Sequence, residues 1–284
     1  MVLVFDSRAT GYGQEYHPER PARLIRGERH LREGHPDWRW VKPEPAGDGD
    51  VLSVHSQEHL VRLRRPVDFD TDTPYYEGIE DHARRAAGAA IEVVNRALVG
   101  EKSFALMRPP GHHAMRDRAM GFCYLNSMAI AAFSSLKQGC ERVAIWDFDA
   151  HHGNGTEAVV HHHARLRFAS IHQYPGYPGS GKKSFDNIFN WPIAPRSDPA
   201  FHCAKVKEAL ERLLEFKPDL LLVSAGFDAF AGDPITEMTL EREHFAEFGR
   251  WLKEAGIPSG AILEGGYSGE LPLLIDAFLT AWEG

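Results

Sequence analysis

The stretch Ile145-Trp146-Asp147-Phe148-Asp149-Ala150-His151-His152-Gly153-Asn154-Gly155-Thr156 constrains this chain more than any other. It reads as a strand that ends in a polar cluster. Val143 to Trp146 are apolar and β-prone, and a Gly-Asn-Gly turn then leads into Thr156-Glu157-Ala158-Val159-Val160, which opens like a helix. Residues two apart on a strand share a side, so Asp147, Asp149 and His151 are expected to project together. Two carboxylates and an imidazole at the end of a buried strand are costly unless paired, hydrogen-bonded or bound to a metal. A lone Asp-x-His would read as a polar strand end. Three polar groups in register before a glycine-rich turn point to a metal or catalytic site.

The rest of the chain repeats that plan of strand, polar end and helix. Val2 to Phe5 reads as a first strand, and a helix is expected to run to about Glu33 after His17-Pro18-Glu19-Arg20-Pro21. Residues 34–50 read as surface loop, and residues 58–65 as a short amphipathic helix. Asp68, Asp70 and Asp72 then make an acidic turn, read as a solvated loop or as a rim that attracts a cationic substrate. An Ala-rich helix over 77–99 precedes a strand over 103–107 that delivers Arg108-Pro109-Pro110-Gly111-His112-His113. Gly121-Phe122-Cys123-Tyr124 is expected to open a helix to about Gln138. Further strands are expected over 165–171, 219–224 and 260–263, with helices over 199–216 and 239–255, the latter capped by Thr239, and a last helix at the C-terminus. The fold class expected is α/β, one open, mainly parallel sheet with helices on both faces, forming a single domain over 1–284.

Charge and cysteine content exclude several classes of function. The net charge of −8 argues against direct nucleic-acid binding. Cys123, Cys140 and Cys203 show neither a disulfide framework nor a Cys-x-x-Cys zinc knot, so a reducing cytoplasm is expected. The Val2–Phe5 run is too short for a signal peptide or membrane span. His161-His162-His163 read as an exposed helix end rather than as ligands.

Sites in open parallel sheets form beyond the carboxyl ends of the strands. His112-His113, Asp147/Asp149/His151, Asp228 and Gly266-Tyr267 all fall there. Asp149, His151 and Asp228 offer three ligands and leave positions for water and substrate, which suits metal-assisted hydrolysis. The histidine pair could serve as general base and acid, and Tyr267 could donate to a developing oxyanion.

The segments Arg108-Pro109-Pro110-Gly111-His112-His113, Asp147 to Thr156, Ser224-Ala225-Gly226-Phe227-Asp228 and Glu264-Gly265-Gly266-Tyr267 resemble the zinc-dependent histone deacetylase and acetylpolyamine amidohydrolase family. His17-Pro18-Glu19-Arg20-Pro21 and Gly121 to Asn126 match it too. The resemblance implies an arginase/deacetylase-like fold with one Zn2+ on Asp149, His151 and Asp228. It implies that Asp147 supports His112, that His113 is the main general base, and that Asn154 supports His113 as in the class II pattern. A neutral partner favours imidazolium less than a carboxylate does, which suits a base that starts unprotonated. Phe122 and Tyr177, with Gly121, Gly265 and Gly266 beside the site, would form the substrate-binding walls, and the backbone around Asp147, Asp149, His151 and Ser170 would form a structural K+ site.

The resemblance leaves the substrate open between an acylated lysine peptide and a small acylated amine such as an acetylpolyamine. The short Arg65–Tyr75 segment favours an open mouth and hence acyl-lysine, whereas the acidic turn favours a cation. Ureohydrolases share the fold but need extra aspartates where this chain has Gly153 and Phe230, so a mononuclear site is expected. A catalytically inactive binding or scaffold protein is the remaining alternative. No membrane partner is expected, and the oligomeric state is open.

Overall fold

Along the central strand Val143, Ala144, Ile145 and Trp146 are all buried, so side chains on both sides of the sheet are covered. The computed structural model describes residues 1–284. Its strands are β1 (Val2–Val4), β2 (Arg39–Val41), β3 (Ser103–Ala105), β4 (Val143–Asp147), β5 (Leu166–Gln173), β6 (Ile188–Ile193), β7 (Leu220–Ala225) and β8 (Ser259–Leu263). They form one sheet in the order β2-β1-β3-β8-β7-β4-β5-β6, and every pairing is parallel. The helices are α1 (Ala22–Gly34), α2 (Asp48–Val51), α3 (Gln57–Leu63), α4 (Ile79–Leu98), α5 (Ser127–Lys137), α6 (Asn154–Val160), α7 (Pro199–Leu214), α8 (Arg242–Glu254) and α9 (Leu271–Glu283). The chain is thus one α/β domain with helices flanking a parallel sheet. No helix is long and apolar enough to cross a membrane.

Aromatic packing fixes the layers. Trp146 and Phe148, at and just past the end of β4, meet Phe248 of α8 at ring separations of 6.2 and 5.2 Å, and Phe278 of α9 lies 5.6 Å from Phe148. Elsewhere α4 lies over β8 at Gly260, where a Cβ would run into Val93.

Four local expectations change. Residues 34–50 are not all loop: β2 pairs with β1 as an edge strand, and the buried Trp38 before it stacks on His35. Strand β6 was not expected, because Pro192 interrupts its pattern; as the other edge strand, β6 tolerates a residue without an N–H. Helix α5 starts at Ser127 rather than Gly121. Gly121 and Phe122 both adopt left-handed conformations (φ 57° and 67°), and Asn126 accepts the Ala129 N–H as the cap. Helix α8 starts at Arg242, with Glu241 and His244 forming the capping box, while the Thr239 hydroxyl is donated to Ser197.

A buried ion network ties the first loop to the strand β3 exit. Arg108 donates to both Glu19 oxygens, at 2.8 Å to Oε2, and Arg23 adds a 3.2 Å contact to Oε1. Burial alone would raise the Glu19 carboxyl, but Arg108 and then Arg23 hold it below its ordinary range. Its stabilising contribution is therefore present above the unfolded carboxyl value and is lost as pH falls through the depressed folded value. Glu19→Ala leaves two guanidiniums buried without their carboxylate. It is expected to cost about 3–5 kcal/mol, read as the shift in urea midpoint at pH 7; a cost within experimental error would show the network to be dispensable.

Candidate active site and metal centre

The strands β3, β8, β7 and β4 are neighbours in the sheet, so the polar segments beyond their carboxyl ends meet in one crevice. Sequence alone did not give this order. Strand β4 stops at Asp147, two residues before the first expected ligand. Asp147 Oδ1 accepts the Asp149 N–H at 3.2 Å, and Asp149 Oδ1 accepts the His151 N–H at 2.8 Å. Each carboxylate thus bonds the backbone two residues on and turns it in place of the ladder. Asp147 is directed to His112, while Asp149 and His151 are directed to Asp228.

The donor atoms of Asp149, His151 and Asp228 lie within 4.8 Å of one another. His151 Nδ1 stands 2.9 Å from Asp228 Oδ2 and 3.2 Å from Asp149 Oδ1. Donors about 2.0–2.2 Å from a tetrahedral ion stand roughly 3.3 Å apart, so this set fits a zinc-sized cation with only small adjustment. The remaining carboxylate oxygens are aimed by the backbone: Asp228 Oδ1 accepts Ala150 N–H at 2.7 Å, and Asp149 Oδ2 accepts Gly265 N–H at 2.7 Å. A side chain at Gly265 would overlap both carboxylates, which is why that turn needs glycine. Burial opposes charge on His151, but Asp228 and Asp149 lift its pKa to about 10; a proton then fills the place between the carboxylates that suits a cation.

The two histidines behave differently. His112 Nδ1 is 3.1 Å from Asp147 Oδ2, and its ring packs 4.0 Å from that of His113. Burial disfavours its charge, but Asp149 and Asp147 overcome this and raise its pKa to about 10. His113 Nδ1 is 2.7 Å from Asn154 Oδ1, while the Asn154 amide nitrogen faces the sulfurs of Met115 and Met120 at 3.2 and 3.5 Å. That arrangement assigns the amide oxygen to His113, so Nδ1 carries the proton and Nε2 keeps its lone pair. Burial, followed by the charges of His112 and His151, pushes His113 well below the ordinary histidine range. A cation on His151 would push in the same direction.

A cavity of about 320 Å³ opens onto these groups. His113, His151 and Tyr267 reach it, Gly121, Phe122 and Tyr177 line it, and His17, Pro18, Thr71, Asp72 and Ile235 complete its wall. Gly265 and Gly266 are not on that wall; they carry the backbone that holds Asp149 and Tyr267. Tyr177 packs edge-on to His113 at 5.1 Å, and Phe122 edge-on to Tyr267 at 5.6 Å. Gly121 sits under both His113 and Tyr177, where a Cβ would come 2.5 Å from the His113 ring. Burial pushes the Tyr267 phenol well above its ordinary value, so it stays a donor.

Several groups that build the site escaped sequence reasoning. Asp233, in a Gly-Asp-Pro turn, accepts the N–H groups of Ile235 at 3.1 Å and Tyr267 at 2.7 Å. Arg23, in the helix expected after Pro21, was given no role by its sequence context. It is buried, donates to the carbonyls of Gly266 and Glu264, and stands 4.7 Å over the Tyr267 ring. Glu264 accepts the N–H groups of Gly111 and His112. Glu264 stood in a quoted motif without a role of its own, and no local pattern marks Arg23 or Asp233, because their partners come from distant segments. Asp72 faces the cavity and accepts from His17 through its carbonyl, while Asp68 and Asp70 accept backbone N–H groups of their own turn. The Ser170 hydroxyl, opposite Asp147 in the β4–β5 register, bonds His172 at 2.9 Å.

Comparison with known proteins places these features in context. The histone deacetylase domain profile matches residues 17–279. A probable deacetylase of Archaeoglobus fulgidus is 39% identical over 295 residues, covering 94% of this chain and 82% of its own length. Acetylpolyamine amidohydrolase 1 of Pseudomonas aeruginosa is 36% identical over 254 residues, covering 81% and 73%. The crystal structure of the HDA15 HD domain superposes with a TM-score of 0.92 at 28% identity, covering 100% of this chain and 91% of that one.

Proposed function

Since the chain belongs to the histone deacetylase family, we propose that it is a zinc-dependent amidohydrolase that removes acetyl or other acyl groups from the ε-amine of lysine. The observation that carries this reading is the neutral His113, with a free Nε2, sharing one cavity with His151 and Tyr267. Asp149, His151 and Asp228 would hold the zinc ion, which when bound would supply Lewis-acid polarisation for an amide carbonyl and for water.

The chain's own residues perform the rest. Phe122 and Tyr177 flank the alkyl stem of the substrate and exclude water from it. His113 Nε2 takes the proton of the attacking water as its oxygen bonds the carbonyl carbon, while Asn154 steadies the imidazolium through Nδ1. Tyr267 donates a hydrogen bond to the carbonyl oxygen as negative charge gathers there. Asp149 and Asp147 favour the charged form of His112 beside the base, and the protonated histidine at the cavity, His113, returns its proton to the leaving nitrogen as the C–N bond breaks. The products are a carboxylate and a free amine. The backbone around Asp147, Asp149, His151 and Ser170 would hold a structural K+, as the family resemblance implies.

A small acylated amine is the second reading, favoured by the acidic residue Asp72 at the cavity wall. The test compares kcat/KM for an acetyl-lysine peptide and for N-acetylputrescine on one zinc-loaded preparation, with a chelator-stripped control. The expected result is a preference for the peptide, with loss of turnover on stripping and recovery on adding Zn2+. A preference for the polyamine would transfer the assignment to the second reading. Full activity after stripping would defeat the zinc assignment.

A further inference from the structure

Away from the crevice, two loops gather a second set of metal-type donors. The histidine run expected to be an exposed helix end lies just past α6, which stops at Val160, and His161 already leaves the helix as its cap. His161 Nε2 and His162 Nδ1 stand 3.0 and 3.2 Å from the same oxygen, Asp186 Oδ2, contributed by the loop before β6. The donor atoms of the three residues all fall within 4.8 Å of one another. The two imidazoles stack at 3.5 Å between centroids, and Phe185 packs edge-on to His161 at 4.8 Å.

The backbone beneath these donors is held in place. The buried Asn187 accepts the His162 N–H at 3.0 Å and donates to the carbonyls of Val160 at 2.8 Å and Leu166 at 3.1 Å, stapling the two loops together. His162 and Asp186 both adopt left-handed conformations, with φ of 63° and 48°. That region is uncommon for residues other than glycine, so this bonding supports a local conformation that presents both side chains to one point.

We propose that His161, His162 and Asp186 form a second metal site, for a borderline divalent cation such as Zn2+ or Ni2+, that braces the end of α6 against the start of β6. Two imidazoles and one carboxylate match the donor preference of these ions rather than the all-oxygen sets of Ca2+ or Mg2+. Three protein ligands leave further positions for water. The shared carboxylate oxygen already draws both rings to one place, and the exposed His162 ring leaves that place open to a cation from solvent. Without an ion both imidazoles face one carboxylate oxygen; a divalent cation gives the two ring lone pairs and the carboxylate a common partner. The site is separate from the one at Asp149, His151 and Asp228.

The test uses chelator-stripped full-length protein equilibrated with Zn2+, with bound metal counted by elemental analysis and Tm followed in parallel. The wild type is expected to bind one ion more than His161→Ala/Asp186→Ala, and that variant should keep its fold and wild-type amide turnover while losing part of the metal-induced rise in Tm. Asp149→Ala/Asp228→Ala should keep the surface ion. His162→Gln, a milder change, should weaken the surface ion by about tenfold or more. Equal metal content in the wild type and the His161/Asp186 variant would overturn the proposal, as would loss of all metal from the Asp149/Asp228 variant. Metal lost only from the surface pair in the wild-type comparison, with none at Asp149 and Asp228, would support this site and count against the zinc assignment in the crevice.

Discussion

His113→Ala is expected to lower kcat/KM by about 10²- to 10⁴-fold on any acyl amide the protein cleaves, with zinc content unchanged. The range is that of a lost general base. His113 is the histidine of the pair that reaches the cavity, and its Nδ1 proton is given to Asn154, leaving Nε2 for a water. His112 does not replace it, because it does not reach the cavity wall and Asp149 and Asp147 favour its charged form. Burial and its charged neighbours hold His113 below the ordinary histidine value of 6.5. The active form is the neutral one, so the acid limb of kcat/KM falls below that value and activity is full above it. A variant with normal metal content and near-normal turnover would remove His113 from the role of base. A zinc-bound variant that turned over slowly but bound substrate normally would separate the proton-transfer role from a packing role, since His113 also supports Tyr177 and Gly121.

The parts of this site legible in the sequence are those whose signal is local. Asp147, Asp149 and His151 lie within one short segment, and the strand preceding them is continuously apolar, so both the parallel sheet and a polar strand end could be read there. Asp228 and Tyr267 were found by the same logic at two further strand ends. What could not be read was the strand order, which puts β3, β8, β7 and β4 side by side and thereby turns four polar ends into one crevice. Edge strands were the other weak point. Arg39–Val41 is only half covered and Ile188–Ile193 contains a proline, so neither carries the unbroken apolar run of a central parallel strand. Arg23 and Asp233 were missed because their environment is set by tertiary contact. An arginine on a helix and an aspartate in a turn look like surface residues until Gly266, Glu264 and Tyr267 are brought against them.

Those two residues bear on the second large effect, Tyr267→Phe, which is expected to reduce kcat by about 10²- to 10³-fold with little change in KM. The substitution deletes one hydroxyl and keeps the ring. Packing against Phe122 at 5.6 Å, the Arg23 guanidinium at 4.7 Å and the backbone bond to Asp233 at 2.7 Å all survive it. A loss of activity therefore reports the hydrogen bond and not a collapsed site. Tm should stay within a few degrees of wild type, because none of these contacts uses the hydroxyl. The effect should fall on kcat, since the bond strengthens only as charge develops on the carbonyl oxygen. Burial keeps the phenol protonated well past pH 10, so wild-type activity should show no alkaline loss from Tyr267 across the usual assay range. If the phenylalanine variant stayed within a few-fold of wild type, the oxyanion would need another donor. A full loss of activity together with a lower Tm would instead mean that the hydroxyl holds structure, and the oxyanion role would fall with it.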